Sequence, residues 1–118
     1  MMSKIRPLLL ADDALMAVVN DVVPSPSERL DNIILFETAP IDNDGCTQRV
    51  RIKLTAICDT EAQAAIIYER ICAVLITPSD RPLTGDILRV GINGGGSLYD
   101  EARKKYHKIT YLIITARS

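Results

Sequence analysis

The 118-residue sequence contains no tryptophan and a single phenylalanine. It therefore lacks the aromatic platforms on which single-stranded nucleic acids stack. It has one histidine, His107, and three cysteines, Cys46, Cys58 and Cys72, with no Cys-x-x-Cys pair. An odd thiol count without that spacing argues against a disulfide scaffold and a structural zinc site. Cys58 and Cys72 read instead as small apolar side chains of a reduced protein. No apolar run approaches the roughly 20 residues of a membrane span. The Leu8-Leu9-Leu10 run behind Lys4 and Arg6 is broken by Asp12 and Asp13, too early for a signal-peptide core. The expectation is a cytoplasmic protein with no membrane contact. Net charge is −1, and 47% hydrophobic with 25% charged residues excludes a disordered chain or a basic nucleic-acid tail. The length fits one domain over residues 1–118, large enough to hold a core without metal or disulfide.

The near-zero net charge conceals an asymmetry. Residues 1–46 hold three Lys/Arg against eight Asp/Glu, and residues 47–118 hold eleven against seven. Scatter over a solvated surface accounts for this, as do two complementary faces meeting between subunits or a basic surface for nucleic acid.

Local pattern gives the elements. Pro7 suits the first turn of a helix, and Leu8, Leu9, Ala11, Leu15, Met16, Val18 and Val19 follow at helical spacing, so a helix is predicted over Pro7–Asn20. Pro24 and Pro26 stop it and open a loop through Arg29. Asn32–Thr38 is a short β-branched run, Asp42-Asn43-Asp44-Gly45 is a turn signal, and Thr47–Ile57 alternates with period two. Val50, Ile52, Leu54 and Ala56 face one way; Arg49, Arg51, Lys53 and Thr55 face the other. These two strands predict an antiparallel hairpin. Thr60 with Gln63 forms a capping box for a second helix, which Pro78 ends just after Thr77. Ser79–Asp86 reads as a loop and Ile87–Ile92 as a strand broken by Asn93-Gly94-Gly95-Gly96-Ser97. Ser97–Lys105 is ambiguous, and Tyr106–Ala116 is a last strand with apolar residues on both faces. The order αββ-αββ predicts an α+β fold: two helices packed on one face of a mainly antiparallel four-stranded sheet. The other face, carrying Arg49, Arg51 and Lys53, must meet water or a partner.

Little in the pattern carries chemistry. The Gly-rich run is followed by no lysine and opens no helix, so it reads as a loop and not as a phosphate cradle. His107, flanked by Lys105 and Lys108, reads as a surface residue, with no nucleophile elbow to serve it. Asp42-Asn43-Asp44-Gly45 lacks the terminal glutamate of a calcium loop. No catalytic residue, cofactor or metal ligand is expected. Arg103–Lys108, with Arg49, Arg51 and Lys53, forms the densest basic set. It fits a solvated strand end, a subunit contact or contacts to phosphates.

The order of elements, together with three stretches, resembles the tail terminator (tail-completion) proteins of long-tailed phages and prophages, small proteins often described as minor tail proteins. The stretches are Pro7-Leu8-Leu9-Leu10-Ala11-Asp12-Asp13-Ala14-Leu15, the strand Arg49–Ala56 and the helix start Glu61-Ala62-Gln63-Ala64-Ala65, with the closing strand Tyr106–Arg117 completing them. The resemblance spans nearly the full chain. It implies a structural assembly protein that forms a hexameric ring, caps the tail tube and joins it to the head. Its partners would be copies of itself, the tail tube and the head–tail connector, with DNA passing through the ring. It would stand in the host cytoplasm before incorporation into a virion. On this reading the contact residues are Arg49, Arg51, Lys53, Asp42, Asp44, Asn93, Gly94, Gly95 and Tyr111. A small nucleic-acid-binding module using the basic strand face is the alternative, and a small-molecule-binding domain or enzyme a further one.

Overall fold

The computed structural model describes residues 2–25, 31–76 and 82–117. Within them the chain runs α1 (Met2–Leu10), α2 (Asp13–Met16), β1 (Val22–Pro24), β2 (Ile33–Asn43), β3 (Thr47–Cys58), α3 (Glu61–Leu75), β4 (Ile87–Asp100) and β5 (Lys105–Arg117). The strands form one sheet in the order β1-β2-β3-β5-β4. Every neighbouring pair is antiparallel except β1 and β2. The α+β class and the β2–β3 hairpin follow the alternation seen in sequence. The counts do not: the described residues hold five strands and three helices where four and two were expected.

Each difference has an identifiable physical cause. The predicted helix over Pro7–Asn20 is two helices, because Asp12 leaves helical geometry (φ −85°, ψ 107°) to cap α2. Its carboxylate accepts the Leu15 N–H at 3.0 Å. It also accepts two hydrogen bonds from the Arg70 guanidinium, at 2.8 and 2.9 Å. The first helix begins at Met2, so Pro7 lies inside it and not in its first turn. The added strand β1 pairs Val22, Val23 and Pro24 with Ile34, Leu35 and Phe36. Proline is tolerated there because β1 is the sheet edge.

The Gly-rich run does not break a strand. β4 continues through it to Asp100, with a register shift between Ile92 and Gly95. Gly94 has φ +96°, and a Cβ on Gly95 would run into the Ile109 carbonyl oxygen. Glycine is what a bulge pressed against its neighbour strand requires. The ambiguous Ser97–Lys105 stretch is accordingly the end of β4 and a turn, with Asp100 accepting the Ala102 and Arg103 N–H groups. The turn at Asp42–Gly45 forms as read, with Gly45 at φ +90°. Asp44 accepts the Cys46 and Thr47 N–H groups, both at 2.8 Å.

Helix α3 starts at its capping box. Thr60 accepts the Gln63 N–H, and the Gln63 side chain reaches back to the Asp59 N–H. Of the loop expected over Pro24–Arg29, Pro24 is instead the end of β1, paired with Phe36; the rest from Pro26, like the helix stop at Thr77 and Pro78, lies outside the described residues.

One hydrophobic core joins the helices to one face of the sheet. Ile5 and Leu9 of α1, Leu15 of α2 and Ile67, Ile71 and Leu75 of α3 pack on Ile52 and Leu54 of β3 and Leu112 and Ile114 of β5. Most of these side chains are wholly buried. Burial of one such side chain stabilises by about 1.5–3 kcal/mol. The sheet's other face carries no helix among the described residues, as the sequence led us to expect.

Candidate functional site

Alternation fixes which side chains share the open face. In β3, Val50, Ile52, Leu54 and Ala56 point to the core, so Arg49, Arg51 and Lys53 point away from it. The register places Arg49, Arg51 and Lys53 opposite Asp42, Ala39 and Glu37 of β2 on one side. On the other side they meet Thr115, Ile113 and Tyr111 of β5. Arg89 of β4, opposite Thr115, completes the row.

The charges on this face are held differently. Arg49 forms an ion pair with Asp42, with hydrogen bonds at 2.5 and 3.0 Å. That contact holds the Asp42 carboxyl below its ordinary pKa. Arg51 lies over the Tyr111 ring, 4.2 Å from its centroid, a cation–π contact. Arg51, Lys53 and Arg89 make no ion pair among the described residues. Two shallow grooves of about 240 Å³ each flank Tyr111 and Ile113. Arg49, Arg89, Asn93 and Thr115 line one, with Gly91 leaving room beside Ile113. Glu37, Arg51, Lys53 and Tyr111 line the other.

The structure thus brings together Arg49, Arg51, Lys53, Asp42 and Tyr111, with Asn93 at the rim. Asp44 serves the β2–β3 turn, and Gly94 and Gly95 form the β4 bulge, where they bend the strand and offer no side chain. Arg89 was missed in sequence. Its signal is weak, since it stands among Leu88, Val90 and Ile92, and a register shift between Ile87 and Arg89 decides its face.

The second basic set does not join the first. Lys105 bonds Asp59 and Asn32, and Lys108 lies over Tyr68 on the helical side. Arg49 stands level with Thr115, ten residues along β5 from Lys105, about 33 Å at strand rise. A continuous basic track from Arg49 to Lys108 is therefore not formed.

His107 is not the surface residue expected. Its side chain is only 19% exposed, and Nε2 lies 4.0 Å from an Asp100 carboxylate oxygen. That nitrogen is buried and has no hydrogen bond among the described residues. A recess of about 190 Å³ brings Ser97, Glu61 and His107 into one lining. Ser97 pairs with Lys108 and His107 with Leu98, so Ser97 and His107 point to opposite faces of the sheet. They are not a nucleophile and its base. Cys58 is buried and donates weakly to the Thr60 and Tyr106 carbonyls; burial pushes its thiol pKa up. Among the described residues no cluster of three or more His, Cys, Asp or Glu could hold a metal ion. No described helix is long and apolar enough to cross a membrane.

No family model matches the chain, and no curated protein matches it at a significant level. The fold itself is shared. It is similar to that of a chain in the virion of the native gene transfer agent (GTA) particle, with a TM-score of 0.68 and 15% sequence identity. The likeness covers 95% of this chain and 90% of that one. At that identity it establishes a common fold.

Proposed function

We propose that this chain is a structural subunit of a phage-like particle, working as a tail terminator: a ring that caps the tail tube and joins it to the head. The observation that carries the reading is the full-length likeness of its fold to a virion chain. The order of elements and the Pro7–Leu15, Arg49–Ala56 and Glu61–Ala65 stretches support the same family. The open sheet face supports it as well, since a surface with half-buried Ile109, Tyr111 and Ile113 beside unpaired cations suits contact between proteins. In this reading the subunit acts by contact and makes no bond. Its partners in this reading are copies of itself, six to a ring as the family resemblance implies, together with the tail tube and the head–tail connector.

Deleting the gene from the genome that carries it tests the reading. The expected result is tails of uncontrolled length and heads without tails, seen by electron microscopy and restored by the gene in trans. Particles of normal tail length and normal head attachment would overturn it.

A further inference from the structure

Two faces of the subunit carry opposite unpaired charge. On the open sheet face Arg51, Lys53 and Arg89 make no ion pair among the described residues, and they outnumber Glu37, the acid across from Lys53 in the same groove. On the helical layer the position is reversed. Lys4, Arg6 and Arg70 are each tied to an aspartate, at 2.8, 3.0 and 2.8 Å, and Lys108 lies over the Tyr68 ring. The acids Asp13, Glu61 and Glu69 of that layer make no ion pair among the described residues.

The apolar character of the two faces also corresponds. The outward side of α3 carries Ala62, Ala65, Ile66 and Ala73, all exposed, with Ile66 at 44%. A solvated helix face is ordinarily rich in Lys and Glu, whereas this one is smooth, slightly apolar and acidic. The sheet face offers a low ridge of Tyr111 and Ile113 between two grooves. The subunit extends 45 × 24 × 21 Å.

We infer that the open sheet face of one subunit receives the helical layer of a second copy, Arg51, Lys53 and Arg89 meeting Asp13, Glu61 and Glu69. Symmetry decides between this and the obvious alternative. If the sheet face met itself across a two-fold axis, a face with three cations to one acid, Glu37, would oppose its own excess of positive charge. Sheet against helix opposes unlike charges, and such a heterologous contact repeats until it closes into a ring. The inference rests on the ring reading above and deepens it by naming the two faces that meet.

Charge reversal tests it on the full chain. One variant carries Arg51→Glu with Lys53→Glu; the other carries Glu61→Lys with Glu69→Lys. Assembly is followed by native mass spectrometry and sedimentation, and circular dichroism reports folding. Each variant alone should need at least about tenfold more protein to assemble, because like charges then face one another. Mixing the two in equal amounts should restore assembly, since every contact in an alternating ring again joins unlike faces. That recovery also shows that both variants fold. If the wild type assembles and both variants assemble equally well alone, the face assignment is overturned while the ring reading stands. If the wild type stays monomeric in solution and on tail tubes, the ring reading falls and takes the assignment with it. If the sheet variant loses duplex DNA binding while its assembly is unchanged, the face belongs to nucleic acid, and the assignment is overturned.

Discussion

The two faces of the sheet are built from the same strands, yet only one is buried along its length; on the other, Ile33 and Ile57 are buried at one end while the stretch from Lys53 to Arg49 is open. Toward the helices, Ile52, Leu54, Leu112 and Ile114 are wholly buried. Toward the open side, the residues between them along β3 and β5 are Arg51, Lys53, Tyr111 and Ile113, exposed or half-buried. Alternating residues of one strand therefore answer to different demands. The covered face holds the subunit together, and the open face is available for contact. A protein with no assembled catalytic set among its described residues still has a surface with definite chemistry.

The largest expected effect separates these faces most directly. Leu112→Ala removes a wholly buried side chain facing Ile52 and should cost about 2–5 kcal/mol in urea unfolding. Ile113→Ala, the next residue, faces the open side and should cost less than about 1 kcal/mol, mainly through lost strand propensity. The measurement belongs at a protein concentration where the subunit is monomeric. Equal costs would mean that the open face is a second core. A small cost joined to weakened assembly would sharpen the contrast in favour of a contact surface.

How much of this contrast was legible in sequence depends on distance along the chain. Val50–Ala56 announced its two faces because alternation is local, and Thr60 with Gln63 announced the start of α3 for the same reason. Asp12 gave no such warning. It breaks the first helix partly through Arg70, 58 residues away. The strand at Val22–Pro24 exists because β2 lies beside it, and Pro24 by itself signals only a stop. The Gly94–Gly95 bulge depends on the backbone of β5 at Ile109, which no reading of Asn93–Ser97 alone supplies. Of the candidate surface, Arg49, Arg51, Lys53 and Tyr111 were visible as strand positions. Arg89 was not, because a bulge sets its side.

A smaller effect tests that bulge. Gly95→Ala places a Cβ against the Ile109 carbonyl oxygen, and backbone cannot swing aside as a flexible side chain would. A cost of about 1–3 kcal/mol is expected from the forced shift. Gly96→Ala, the neighbouring residue, meets open space and should change stability by less than about 0.5 kcal/mol. Thermal unfolding of the two variants checks this. If they match, close approach of β4 to β5 is not what selects glycine there.

The smallest effects concern two aspartates that are held alike on opposite sides of the molecule. The Arg70 hydrogen bond holds the Asp12 carboxyl below its ordinary 3.8, and the Arg49 hydrogen bond does the same for Asp42. In both, the folded state binds the proton more weakly than the unfolded chain. Their stabilisation is therefore complete above about pH 5 and is lost as the pH falls through 3.8 toward the lower folded values. The environments differ: the Asp12 side chain is 15% exposed and that of Asp42 is 52% exposed. Salt screens the exposed pair more than the sheltered one. Urea unfolding at pH 7 and near pH 3 should then give a larger acid loss for the wild type than for Asp12→Asn, at low and at high salt. Asp42→Asn should flatten the acid limb only at low salt. If salt erased the Asp12 difference as readily as the Asp42 one, the helical layer would be no more sheltered than the open face.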